Sequence, residues 1–155
     1  MTYIGILDAN RREMYLEFMH YLADYKGLSL DSINICENLD DADVIIIDSI
    51  PEDTRHLENM HPKVIIVNSD SPGAMKLALN RGGQIITYGF NPKSSITASS
   101  VLDNNIMIYV QRAIYTITGD SVFPGEFSLE GAGSGGFIDC AMGGVAAALV
   151  CGIFP

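Results

Sequence analysis

The chain is 155 residues long, with 9 Lys+Arg against 19 Asp+Glu and a formal net charge of −10. That length suits one domain able to hide about 70% of its unfolded surface without disulfide or metal staples. A content of 48% hydrophobic and 18% charged residues excludes a disordered or fibrous chain. A pI near 4.4 argues against binding nucleic acid or an anionic membrane face, both of which call for a basic surface.

Residues 3–7 form a short apolar strand ending at Asp8. From Asn10 the period changes. Met14, Tyr15, Phe18, Met19 and Leu22 share one helical face, Arg11, Arg12, Glu17 and Asp24 lie mostly elsewhere, and Gly27 stops the helix. Residues 31–36 alternate as a strand with Ile33 and Ile35 inward. Residues 44–47 and 64–67 are β-branched runs ending at Asp48 and Asn68, the pattern of parallel strands covered on both faces. Residues 51–60 read as a short helix or loop between them. A helix is predicted over 71–80 with Pro72 in its first turn, then Gly82 and Gly83, then a strand over 84–88.

Five strand-like runs separated by helices predict an α/β fold, a mainly parallel sheet flanked by helices. In the second half, residues 95–101, 106–111, 113–117 and 126–129 are β-like and divided by polar turns, so they read as antiparallel additions to one sheet edge. Residues 131–136 are a glycine-rich loop, and 138–153 a final helix of small residues. With no repeat and no dividing linker, residues 1–155 read as one domain.

Cys36, Cys140 and Cys151 are an odd count at unpatterned spacing, which suits buried thiols in a reducing cytoplasm. The first eight residues lack the basic start and apolar core of a signal peptide. The apolar stretch 137–154 is interrupted by Asp139, Gly143, Gly144 and Gly152, so no membrane span is expected there.

The turn from the first strand into the first helix is where phosphates bind in α/β folds. Here it has neither glycine nor hydroxyl, although Arg12 could supply a positive charge. Asn10 with Glu13 three residues on is instead a helix-capping pattern. Asp8 and Asp48 both end strands and so share one rim of a parallel sheet. A cation could bridge them there, although their ordinary reading is as solvated strand-end residues. Asn68 and Asp70 read as turn-forming. His20, His56 and His61 lack metal-ligand spacing, and Ser94, Ser95, Ser99 and Ser100 have no nearby histidine to activate them.

The stretch V-I-I-V-N-S-D-S-P over 64–72 resembles the V-V-N-x-D-D-P segment of the central domain of Mur ligases, the ATP-dependent amide ligases of peptidoglycan synthesis. I-T-Y-G over 86–89, and the strand over 96–101, resemble the next segments of that family's central domain. Ile4-Gly5-Ile6 followed by Asn10 then falls where the family has its P-loop, Asp48 where it has an acidic Mg²⁺ ligand, and 136–153 where it has H-N-x-x-N-A-x-A-A. The resemblance covers the whole chain and implies a P-loop-type topology. It makes Asn10, Arg12, Asn68 and Asp70 candidate vestigial nucleotide-site residues and Asp48 a candidate metal ligand, which Asp8 would join from the shared rim.

The departures bear on function. Arg11, Arg12, Glu13 and Met14 replace Gly-Lys-Thr-Thr, Gly136-Phe137 replace His-Asn, and Cys140 replaces the second Asn. Phosphoryl transfer rests on positioning and electrostatics, and this chain lacks the cradle, the Lys and the hydroxyl together. The resulting expectation is a non-catalytic Mur-ligase-like domain with a degenerate ATP site and no cofactor, acting in binding or scaffolding linked to the cell wall. Its partners would be a second copy or a cell-wall enzyme, because the apolar run 145–150 leads to no further domain. One alternative is an ATP-dependent ligase or nucleotide-binding protein with ATP and Mg²⁺ at an altered site. Another is a receiver-like signalling domain with Asp48 as phosphoacceptor.

Overall fold

Two runs of β-branched residues set the centre of the fold, which is described here from a computed structural model. It describes residues 2–7, 12–26, 33–52, 54, 57, 59–101, 105–130 and 137–153. Val44–Ile47 (β3) and Val64–Asn68 (β4) lie side by side in parallel, and every residue of β3 is buried. Thr2–Leu7 (β1) pairs with the other edge of β3, and Ile33–Ile35 (β2) pairs with β1. Gln84–Tyr88 (β5) pairs with β4, so all five of these strands are parallel, in the order 2-1-3-4-5. The α/β expectation and the mainly parallel sheet hold.

Alternation along the strands sends side chains to two cores. Ile4, Ile6, Val44, Ile46, Val64, Ile66 and Ile86 face Arg12–Lys26 (α1) and Phe137–Val150 (α3). Leu7, Ile45, Ile47, Ile65 and Val67 face Leu57, Met60 and Pro72–Leu79 (α2). Ser71 caps α2, its Oγ accepting from the Ala74 N–H at 3.3 Å, with Pro72 in the first turn as the sequence predicts. In α1, Tyr15, Phe18, Met19 and Leu22 are buried as their spacing requires.

The second half departs from expectation in two ways. Ile96–Val101 (β6) joins β5 in parallel, not antiparallel, and through a single pair, Tyr88↔Ile96. The connection 89–95 is too short for a helical crossover. β6 therefore begins level with the end of β5 and runs on past it, and Asn105–Val110 (β7) and Gly125–Leu129 (β10) then add antiparallel. The 113–117 run does not join this edge. Ile114–Tyr115 (β8) pairs with Ser121–Val122 (β9) as a separate two-stranded sheet. Its turn is tied by Asp120 N–H to Thr116 Oγ1 (3.0 Å), with Gly119 at φ +94°. Ile114 is buried, and the Ile117 N–H donates to the Val150 carbonyl at 2.8 Å, so the hairpin is anchored on the end of α3.

α3 is buried from Cys140 through Val150, so it is apolar on every side. The run 145–150, expected to leave an apolar surface, is at most 1% exposed within the chain itself. Among the described residues no helix is long and apolar enough to cross a membrane. The small residues of α3 allow close contact with α1. A Cβ on Gly144 would stand 2.5 Å from Phe18 Cδ1, and one on Gly143 would stand 2.9 Å from the Tyr15 hydroxyl oxygen. Gly144→Ala is therefore expected to lower stability by about 1–3 kcal/mol, despite its better helix propensity, because the Phe18 ring must shift. Thermal melting of the two proteins measures it.

Candidate functional site

β3, β4 and β5 end at one rim, and their register aligns the residues at their carboxyl ends. Ile47 pairs with Val67, Val67 with Thr87, and Asn68 with Tyr88. Asp48, Asn68 and Tyr88 thus form a row across three strands, on the face covered by α1 and α3. Open α/β sheets place their sites outside such carboxyl ends. Tyr15, in the first turns of α1, reaches the same row.

Asp48 is only 4% exposed, and Tyr15 and Tyr88 are fully buried. This corrects the reading of Asp48 as a solvated strand-end residue. Its backbone N–H donates to the Leu7 carbonyl at 3.1 Å, which holds the carboxylate between β1 and β4. The Tyr88 hydroxyl donates to Asp48 Oδ1 at 2.5 Å. The Tyr15 hydroxyl lies 3.2 Å from the same oxygen and 2.7 Å from the Tyr88 hydroxyl. Asn68 Nδ2 also donates to Asp48 Oδ1, at 3.5 Å. Two phenols and an amide therefore converge on one carboxylate oxygen where water has little access.

Burial is the main cause that raises the ionisation of Tyr15 well above that of an ordinary phenol, and the Asp48 charge beside it adds to the effect. Tyr88 is raised by burial first, then by Tyr15 and Asp48. Both hydroxyls therefore remain donors.

Asn68 is half-buried, and its Oδ1 accepts from the Asp70 N–H at 2.9 Å, the turn-forming role its sequence suggests. Asp70 is exposed, and its Oδ2 accepts from the Phe90 N–H at 2.8 Å. Ser69 Oγ donates to the Tyr88 carbonyl at 3.0 Å and lies 2.7 Å from the Oγ of buried Ser94. Gly89, at φ +149°, makes this turn possible, because a Cβ there would stand 2.7 Å from both Asp70 Oδ2 and Ser69 Oγ. The loop into β6 is thus tied to the β4–α2 turn.

Of the six residues singled out from the sequence, the fold brings Asp48 and Asn68 into contact and sets Asp70 on the next turn. Asp8 and Asn10 lie outside the described residues, so the proposed pairing of Asp8 with Asp48 and the Asn10 cap are not described. Arg12 opens α1, and its side chain is likewise outside the description. Glu13 is exposed in the first turn. Among the described residues no group of three or more His, Cys, Asp or Glu side chains could hold a metal. His20 and His61 are exposed, and His56 lies outside the description. Cys140 is buried, Cys36 and Cys151 are half-buried, and all three are thiols. Burial, with Asp43 nearby, pushes the Cys151 thiol up to about 11.

Sequence reasoning set Tyr15 on the apolar face of α1 and Tyr88 at the end of a strand, and missed their polar role. A signal was present, since a tyrosine buried on a core face must find a partner for its hydroxyl. A scan of known protein families and a search of curated proteins return no match for this chain.

Removing the acceptor leaves the two buried phenols with only each other and one of their protons without an acceptor, so Asp48→Ala is expected to cost about 2–4 kcal/mol. Tyr88→Phe leaves Asp48 with Tyr15 and Asn68 and is expected to cost about 1–2 kcal/mol. Urea denaturation gives both values and tests their order. The raised tyrosines also set a pH dependence. Above pH 10.0 the unfolded phenols lose protons that the folded ones keep, so their contribution is complete below that pH and declines above it. Unfolding free energy measured between pH 8 and pH 11 is expected to fall more steeply for the wild type than for Tyr15→Phe/Tyr88→Phe.

Proposed function

We propose that this chain is a non-catalytic domain of the Mur ligase central type, with P-loop-type topology and a degenerate ATP site, which works by binding in cytoplasmic cell-wall metabolism. The capture of Asp48 by Tyr15, Tyr88 and Asn68 is the observation that supports it most. In this reading Asp48 stands where the ligases hold Mg²⁺, and here its Oδ1 is committed to protein donors. The order of motifs along the chain supports the family reading. The strand order 2-1-3-4-5 is common to many doubly wound sheets and favours no single one of them.

The partner is a second copy of the chain or a cell-wall enzyme, engaged through a surface other than 145–150, which is spent on the interior. A retained ATP-dependent ligase would need Asp48 to leave its tyrosines and Arg12 to replace the missing cradle. The receiver-like alternative draws on Asp48 following the third strand of a 2-1-3-4-5 sheet, and the burial of Asp48 weighs against it. An aspartyl phosphate detected by intact mass after incubation with acetyl phosphate would favour it.

Calorimetry with MgATP tests the main reading. No heat of binding is expected at micromolar protein. Micromolar affinity that Arg12→Ala abolishes would mean that the site had been rebuilt, and the reading would fail.

A further inference from the structure

α3 meets α1 through Gly143 and Gly144. Gly143 faces the Tyr15 hydroxyl, Gly144 faces the Phe18 ring, and Ala146, Ala147 and Ala148 come next, all buried. The Tyr15 and Phe18 rings seat on these two glycines, so α3 supplies no side chain of its own there to direct the seating, and apolar attraction has no direction. Beside that contact stands one directional cluster. Tyr15 comes from α1, Asp48 from the end of β3 and Tyr88 from the end of β5, and their oxygens meet within 3.2 Å. They converge in one placement of α1. A slip by one helical turn would carry the Tyr15 hydroxyl about 5 Å away. It would also move Tyr15 off Gly143 and against a residue that does carry a Cβ.

We infer that the Tyr15–Asp48–Tyr88 cluster is a register lock, which selects a single seating of α1 on α3 and the sheet. Well-packed apolar residues often match buried ionic groups in stability, whereas polar groups in some proteins fix one arrangement among several of similar energy. Single deletions cannot separate these roles, because each leaves a buried polar group behind. Replacing the whole cluster can.

The test is the variant Tyr15→Phe/Asp48→Val/Tyr88→Phe, compared with Asp48→Asn and the wild type in the full chain. The readouts are helix content, melting temperature, and the dispersion and linewidths of amide NMR signals. The triple variant is expected to keep its helix content and melt no more than a few degrees below the wild type, with amide signals of α1 and α3 broadened or doubled. Asp48→Asn, whose Oδ1 still accepts from both phenols, is expected to keep sharp signals. A triple variant as sharply resolved as the wild type would overturn the inference. So would a triple variant that is unfolded, since the cluster would then supply stability rather than choice. Broadening in Asp48→Asn would assign the effect to charge and overturn it as well.

Discussion

A carboxylate shut away from water dictates much of this structure. Once Asp48 lies beneath two helices, donors must come to it, because an ionised group buried without partners costs several kcal/mol. Tyr88 answers from two strands away, Tyr15 from the helix above, and Asn68 from the strand between. Each answer imposes something further. Tyr15 requires a residue without a Cβ at position 143, and Tyr88 ends its strand where β6 can begin. Asn68 turns its side-chain oxygen to the loop that carries Asp70. Rim, helix packing and the connection to the antiparallel edge are thus coupled through one group.

The parts of the fold legible in the sequence are those written in side-chain period. V-I-I-I and V-I-I-V suit strands buried on both faces, which they are, and the spacing of Tyr15, Phe18, Met19 and Leu22 placed α1 against the core. What escaped was long-range. The single-pair junction of β5 and β6, and the hairpin standing apart from the edge, depend on where chain segments meet rather than on their own composition. The burial of α3 within its own chain escaped for the same reason, because a helix apolar all round reads equally as core or as interface.

At the rim, the sequence identified the acceptor Asp48 and one of its donors, Asn68, without the two phenols. Asp48 and Asn68 stood out by ending apolar runs, while Tyr15 read as one residue of an apolar helix face and Tyr88 as the end of a strand. Counting hydroxyls among the predicted core positions, and asking which strand ends lie level, would have joined the four. Asp48 faces the interior, and its enclosure by protein donors underlies the proposal that the chain is a binding domain.

The hydroxyl protons of Tyr15 and Tyr88 test this account most directly. Buried, bonded phenol protons exchange slowly enough with water to appear in the proton NMR spectrum. Two downfield hydroxyl signals are expected, one of them lost in Tyr88→Phe, and both unchanged by millimolar Mg²⁺. Absence of both signals in the wild type, or their displacement by Mg²⁺, would mean that Asp48 is open to solvent and metal, and would contradict the account.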